Sequence, residues 1–146
     1  MNRIRGCVAL ALFLISTLPC PAATSKIYKV EIKEKVSEGD LMGAALVYAL
    51  KEEVRKSAGF SLGSSGPRLV IYLATIDPDV HTAEANLHTV YSVAYVFCVT
   101  DGQCLFVDHA IGLAGAARIN DAARGIIAGL DELVSAVRKI LAPHPS

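Results

Sequence analysis

The chain lacks the sequence features that mark most nucleic-acid-binding and nucleotide-binding proteins. Its 14 lysines and arginines are balanced by 14 aspartates and glutamates, and no basic cluster stands out. Nucleic-acid binding requires a concentrated positive surface, so nucleic acid is not expected as a partner. The glycine-rich stretch 63–67 has no lysine for a phosphate and opens no helix. It is interpreted as a turn, and no cofactor is expected.

A nucleophile elbow of the Gly-x-Ser-x-Gly type is also absent, as are internal repeats. Long apolar runs are absent except near the N-terminus, where basic residues precede an apolar stretch at 8–18. That stretch is too short to cross a bilayer, and small residues at 22–23 follow as a cleavage site. The sequence therefore predicts a signal peptide at 1–23 and a single exported domain at 24–146. A periplasmic or secreted location, with no membrane span after cleavage, follows from this.

Cysteine is scarce, and two of the four cysteines, Cys7 and Cys20, lie within the predicted signal. Pro19 precedes Cys20 at a position where lipid attachment requires a small residue, so a lipid anchor is not expected. The two remaining cysteines, Cys98 and Cys104, would meet an oxidising compartment after export. They flank a turn between two strand-like runs, and a disulfide between them is predicted.

Two turn types fit the sequence between these cysteines. A three-residue loop, Thr100-Asp101-Gly102, would end on a glycine in the left-handed region and place Cys98 opposite Cys104. A two-residue loop, Asp101-Gly102, would place Cys98 opposite Leu105 instead. If the cysteines are oxidised, the first register is favoured, because opposed residues have Cβ atoms close enough for a disulfide.

Hydrophobic periodicity predicts the element order β-α-β-β-β-α. Ser37 and Asp40 fit a capping box that opens the first helix, with Ser37 as the cap. A strand, a helix and a strand in succession predict two parallel strands. We therefore expect an α+β, two-layer sandwich in which a four-stranded mixed sheet carries two helices on one face. The segments are a strand at 27–36, a helix at 37–59, a strand at 69–76, a hairpin at 88–112 and a helix from 120.

The second sheet face is the candidate binding surface. With Cys98 opposite Cys104, we expect this face to carry Ala94, Val96, Phe106 and Asp108. It is apolar around Val96 and Phe106, and an apolar surface of this kind often belongs against a protein partner or a second copy. The alternative is a patch covered by the chain's own 77–87 loop.

The best constellation for catalysis lies in that loop, where acidic residues and histidines are concentrated: Asp77, Asp79, His81, Glu84 and His88. Such side chains can hold a divalent metal that activates water. The spacing matches no defined metal site, however, and Asp-Pro-Asp is also ordinary turn chemistry. Solvated loop residues are the favoured interpretation, and a metal-dependent hydrolase is the alternative.

The segment from Gly39 to Asp77 resembles a layout found in small bacterial envelope modules. A helix, GDLMGAALVYALKEEVRKSAGFSL, is followed after a loop by the strand PRLVIYLATID. This order is similar to that of the TolB N-terminal domain and of curli-secretion and lipopolysaccharide-assembly accessory proteins, and it covers residues 27–137. The resemblance implies a non-catalytic role in envelope assembly or transport and assigns no functional residue. A binding or assembly accessory module is thus expected, with a self-associating structural protein as a further alternative.

Overall fold

A computed structural model describes residues 28–141, so the predicted signal peptide lies outside the described part of the chain. The strands and helices along the chain are β1 (Tyr28–Val36), α1 (Leu41–Lys56), β2 (Phe60–Leu62), β3 (Arg68–Ile76), β4 (His88–Thr100), β5 (Gln103–Gly115) and α2 (Ile119–Leu141). A short 3-10 turn, Ala116–Arg118, joins β5 to α2. The fold is α+β, with two helices and a mixed sheet. Among the described residues, no helix has the length and apolar character needed to cross a bilayer.

The sheet has five strands, in the order β2-β1-β3-β4-β5, and the prediction of four was wrong. The additional strand is β2, which pairs in parallel with the start of β1. Three residues are too few to show a strand periodicity, and β2 follows Gly59 directly, so no sequence signal marks it. The predicted parallel pairing of the strands on either side of α1 is present between β1 and β3.

The hydrophobic core lies between the sheet and the two helices, which share one face of it. Cross-strand register aligns Val30, Ile71, Val93 and Tyr95 on this face, and all are buried. Leu46, Leu50 and Val54 from α1 pack against them, with Ala123, Ile126 and Leu130 from α2. The Tyr95 hydroxyl donates a hydrogen bond of 2.9 Å to the carbonyl oxygen of Ile126, which fixes β4 against α2.

Helix α1 begins later than the capping box predicted. Its cap is Asp40, whose Oδ1 accepts a hydrogen bond of 2.6 Å from the backbone N–H of Gly43. Ser37 instead donates its backbone N–H to the carbonyl of Thr75 on β3. The chain needs the turn at Gly39, which has a φ of 80°, to pass from the end of β1 into the helix. Ser37 is therefore on the strand side of that turn.

The β4–β5 hairpin contains two irregularities in its register. At the tip, Thr100 pairs with Gln103, so the turn is the two-residue Asp101-Gly102 rather than the preferred three-residue loop. A register shift between Cys98 and Thr100 restores the pairing of Cys98 with Cys104, and their Sγ atoms lie 2.04 Å apart. The disulfide pairing is thus confirmed although the turn type was wrong. The positive-φ residues of the described chain are Gly39, Gly66 and Asn86, so Gly102 does not use that freedom.

The second irregularity is a bulge at Val107, between the pairs Val96–Phe106 and Tyr95–Asp108. The extra residue reverses the alternation of side chains along the rest of β5. Asp108 lies opposite Tyr95, on the helix-facing side, so its assignment to the second face was wrong. His109 takes the opposite side, and its ring lies 6.2 Å from that of Phe106.

Candidate functional site

The sheet face opposite the helices, hereafter the open face, is the largest candidate surface. Register places side chains from four strands on it: Lys29, Glu31, Lys33 and Lys35; Arg68, Val70, Tyr72, Ala74 and Ile76; Val90, Ser92, Ala94, Val96 and Cys98; and Cys104, Phe106, His109, Ile111 and Leu113. Of the predicted face residues, Ala94, Val96 and Phe106 are therefore brought together.

The half of the open face formed by β4 and β5 is apolar and faces solvent. Phe106 is 58% exposed, Ile111 72% and Leu113 65%. Ile76, at the end of β3, is also exposed and pairs with Val90 on the same face. Large apolar side chains clustered on a soluble surface indicate an interaction site more often than scattered ones do. The open face has this clustered character.

The other half of the open face is charged, and its charges largely contact one another. Arg68 is buried, and its guanidinium donates to Glu31 at 2.5 Å and to Asp101 at 2.7 Å. These hydrogen bonds raise the pKa of Arg68 further above its ordinary value, with Glu31 the larger cause. These ion pairs connect β1, β3 and the hairpin turn, so Arg68 stabilises the packing of the three at this end of the sheet.

A shallow depression lies where the two halves of the open face meet. Lys33 and Lys35 border it on β1, while Tyr72, Ala74 and Ala94 line its floor. The Lys33 ammonium lies 5.3 Å from the centre of the Tyr72 ring, a cation–π distance. Glu34 also lines the depression, and its carboxylate is paired with Lys51 at 2.8 Å. The two lysines beside an apolar floor suit contact with a protein surface carrying apolar and acidic groups.

The 77–87 loop does not cover the apolar half of the open face. It packs instead against the start of α1, where the side chain of Asn86 accepts a hydrogen bond of 2.8 Å from the Leu41 backbone N–H. Val80 lies so close to Gly39 that a Cβ there would be 2.8 Å from its methyl group. The loop therefore belongs to the end of the sheet, and Phe106 and Ile111 remain exposed.

The predicted acidic and histidine residues of this loop come together only in part. Asp77 is buried, and its two carboxylate oxygens accept hydrogen bonds from the backbone N–H groups of Asn86, at 2.6 Å, and Asp79, at 2.8 Å. These bonds, with that from Asn86 the largest cause, hold the pKa of Asp77 below its ordinary value, assisted by the charge of His88. The carboxylate is therefore occupied in shaping the loop.

Asp79 and His88 form the one ion pair between side chains among these candidate metal ligands in the described chain, with 3.2 Å between Oδ2 and Nε2. His81 and Glu84 are exposed. Within residues 28–141, no group of three or more histidine, cysteine, aspartate or glutamate side chains is arranged to hold a metal ion. The geometry pairs the side chains of Asp79 and His88, while the Asp77 carboxylate is engaged by backbone N–H groups.

Comparison with known proteins adds no assignment: no protein-family model and no curated protein matches the chain. Two features of the open face were not predicted from the sequence. The first is the Val107 bulge, which places His109, Ile111 and Leu113 on this face. The second is Arg68, which forms an ion pair with Glu31 in the charged half of this face. The role of Arg68 could have been suspected from the sequence, because it is a basic residue at the start of an otherwise apolar strand. The sequence carried no signal for the bulge, because Val107 is as suitable for a regular strand as its neighbours.

Proposed function

We propose that this protein is an exported, non-catalytic binding or assembly accessory module of the cell envelope, which takes a protein partner on the open face. The observation that carries the proposal is the exposure of Phe106, Ile111 and Leu113 on a sheet face that no described segment covers. Exposed apolar side chains are favourably removed from water by a partner, at about 25 cal/mol per Å².

The charged margin of the open face supports a protein partner over a purely apolar ligand. Lys33 and Lys35 lie along β1 beside the apolar floor. A partner with acidic groups next to an apolar patch would match both parts, since complementary charges fix orientation and speed encounter. Arg68 and Glu31 neutralise each other, so Lys35 is the cation best placed to contribute.

Export is supported by the N-terminal sequence and by the cysteine pair. Disulfides persist in oxidising compartments and are rare in the cytosol, so the Cys98–Cys104 pair is consistent with a periplasmic or secreted location. The envelope role rests on the similarity of element order to envelope accessory proteins, which is fold-level support. Nothing in this proposal requires a cofactor, a nucleic acid or a membrane span in the mature chain.

A metal-dependent hydrolase is the second candidate, favoured by the contact between Asp79 and His88. In such a site, Asp79, His88 and water molecules would have to supply all the ligands of the metal ion. Calorimetric titration of the purified chain with Zn²⁺ and Mn²⁺ tests this candidate. Low-micromolar binding that is lost in the D79A and H88A variants would favour the hydrolase over the binding module.

The proposed function is tested by recovering the tagged full chain from the envelope of its host after mild chemical crosslinking. We expect a specific protein to be recovered with the wild type and lost with F106D. The matched control is Y48D, since Tyr48 is 67% exposed on α1, away from the open face. Equal recovery with F106D and wild type would contradict the assignment of the open face, and a cytosolic chain that retains its N-terminus would contradict export.

A further inference from the structure

Strand β5 ends the sheet, and its outer edge is unpaired within the described part of the chain. The strand is 13 residues long and pairs on its inner side with β4. Most of its residues are exposed. A row of unpaired backbone N–H and C=O groups of this length is a template for the addition of another strand.

The half of β5 next to the turn is protected against such addition, and the other half is not. The Val107 bulge and the charge of Asp108 interrupt the edge at its middle, and both are devices that natural proteins use to block edge pairing. Beyond His109, the segment 110–115 has no charged residue, no proline and no irregularity. It carries Ile111 and Leu113, whose side chains are both largely exposed.

We infer that the free edge of segment 110–115 pairs with the same segment of a second copy of this chain. Antiparallel pairing of a strand with itself follows from a twofold axis, so no second sequence is needed. Because the segment is uncharged, no register of this pairing opposes like charges. The formal net charge of the whole chain is zero, and loss of the predicted signal changes it only slightly, so long-range repulsion between two copies is weak.

This pairing would join two sheets into one continuous sheet of ten strands. A twofold axis normal to the sheet keeps both open faces on the same side, with the apolar halves adjacent and the lysines of β1 one strand inside each outer end. The inference concerns the edge of β5 and does not depend on the proposed partner of the open face.

Sedimentation velocity of the full mature chain over a range of concentrations tests the inference, with three single variants. I111K places a charge on the edge segment. Y48K is the control for exposure, and A94K places a charge on the open face on β4, one strand inward of that edge. We expect a concentration-dependent dimer for the wild type, Y48K and A94K. For I111K we expect the dimer dissociation constant to rise at least about tenfold.

Every other outcome overturns the edge dimer. A wild type that remains monomeric, or an I111K variant that dimerises like the wild type, rules out pairing of two chains through the edge of segment 110–115. Loss of the dimer in both I111K and A94K indicates association of two open faces instead. Circular dichroism establishes that each variant is folded, and L113K replaces I111K if that variant is not. Hydrogen exchange gives an independent readout, because the amides of 110–115 should exchange more slowly as the dimer forms.

Discussion

The Thr89 hydroxyl on β4 donates a hydrogen bond of 2.7 Å to the Asp40 carboxylate that caps α1. Both side chains are buried, so this contact connects the helix start to the hairpin inside the core. Gly43 is required beside it, because a Cβ at that position would lie 2.3 Å from the Asp40 carboxylate and 2.0 Å from the Thr75 hydroxyl. The Asp40 carboxylate thus connects the start of α1 to β4 inside the core.

Replacing Asp40 tests this arrangement. D40A removes the acceptor of the buried Gly43 N–H and leaves that donor without its partner. The Thr89 hydroxyl loses its shortest hydrogen bond and keeps the carbonyl oxygens of Ile76, at 3.2 Å, and Val90, at 3.3 Å, as acceptors. We expect the free energy of unfolding to fall by about 2 kcal/mol, as measured by urea denaturation. D40N retains a side-chain oxygen for the cap and should lose less. Equal losses in the two variants would show that the cap contributes little.

The buried carboxylate of Asp77 should make the stability of the protein depend on pH in the acid range. Its pKa is lowered in the folded state by hydrogen bonds from Asn86 and Asp79. Because the pKa of Asp77 is lower in the folded than in the unfolded protein, its carboxylate stabilises the fold at pH values above the unfolded pKa. This stabilisation is lost as the pH falls through the folded pKa. We expect the stability of the wild type to decrease as the pH falls below about 4, the ordinary range of an aspartate.

The matched variant D77N has no carboxylate to protonate and should show a shallower decrease over the same pH range. Thermal melts of both proteins across the acid range, starting from near-neutral pH, provide the comparison. Parallel pH profiles of wild type and D77N would contradict the role assigned to Asp77.

The buried phenol of Tyr95 should titrate at unusually alkaline pH. Burial, with the neighbouring Tyr91 and Asp108, raises the pKa of Tyr95 from 10.0 to about 12. Because the pKa of Tyr95 is higher in the folded than in the unfolded protein, its protonated phenol stabilises the fold at pH values below the unfolded pKa. This stabilisation is lost as the pH rises through the folded pKa. Alkaline titration of tyrosine absorbance should therefore show one late-titrating phenol, which is absent from Y95F.

At neutral pH, Y95F should lower the free energy of unfolding by about 1 kcal/mol, because the Ile126 carbonyl loses its side-chain donor. Y72F changes an exposed tyrosine on the other sheet face and is the control. A late-titrating phenol that persists in Y95F would contradict the assignment.

The disulfide should stabilise the hairpin more than the whole domain. Cys98 and Cys104 are six positions apart, and a loop this short gives about 2–2.5 kcal/mol of chain-entropy stabilisation. Since Cys98 is buried and Cys104 is exposed, the variant C98A with C104S should remain folded with a melting temperature several degrees lower. Two free thiols in unreduced, denatured protein from an oxidising compartment would show that the bridge does not form.

The elements that have a clear period could be predicted from the sequence. The alternation of β1, the apolar run of β3 and the stripe of α2 all correspond to observed elements, and the class of the fold followed from their order. The cysteine pairing could also be predicted, since two cysteines outside the predicted signal flank a short turn and left few options. These signals are local, or nearly so, and local signals are what a single sequence carries.

The predictions that were wrong depend on register and on contacts distant in sequence. A two-residue turn with a shift at Val99 and a bulge at Val107 replaced the regular hairpin, and neither leaves a mark in residue type. A one-residue change of register exchanges the two faces of a strand, which is why Asp108 was misplaced. The cap at Asp40 depends on Thr89, 49 residues away. Such a partner becomes visible only when the fold is known.

The proposed function depends above all on a protein partner occupying the open face in the exported state. Photocrosslinking in the host tests this at the level of single residues, with a photoreactive phenylalanine analogue introduced at Phe106 and, separately, at Tyr48. We expect a discrete adduct with one protein from position 106, reduced when Lys35 is changed to Glu, and no such adduct from position 48. The same adducts from both positions, or none from position 106, would contradict the proposal.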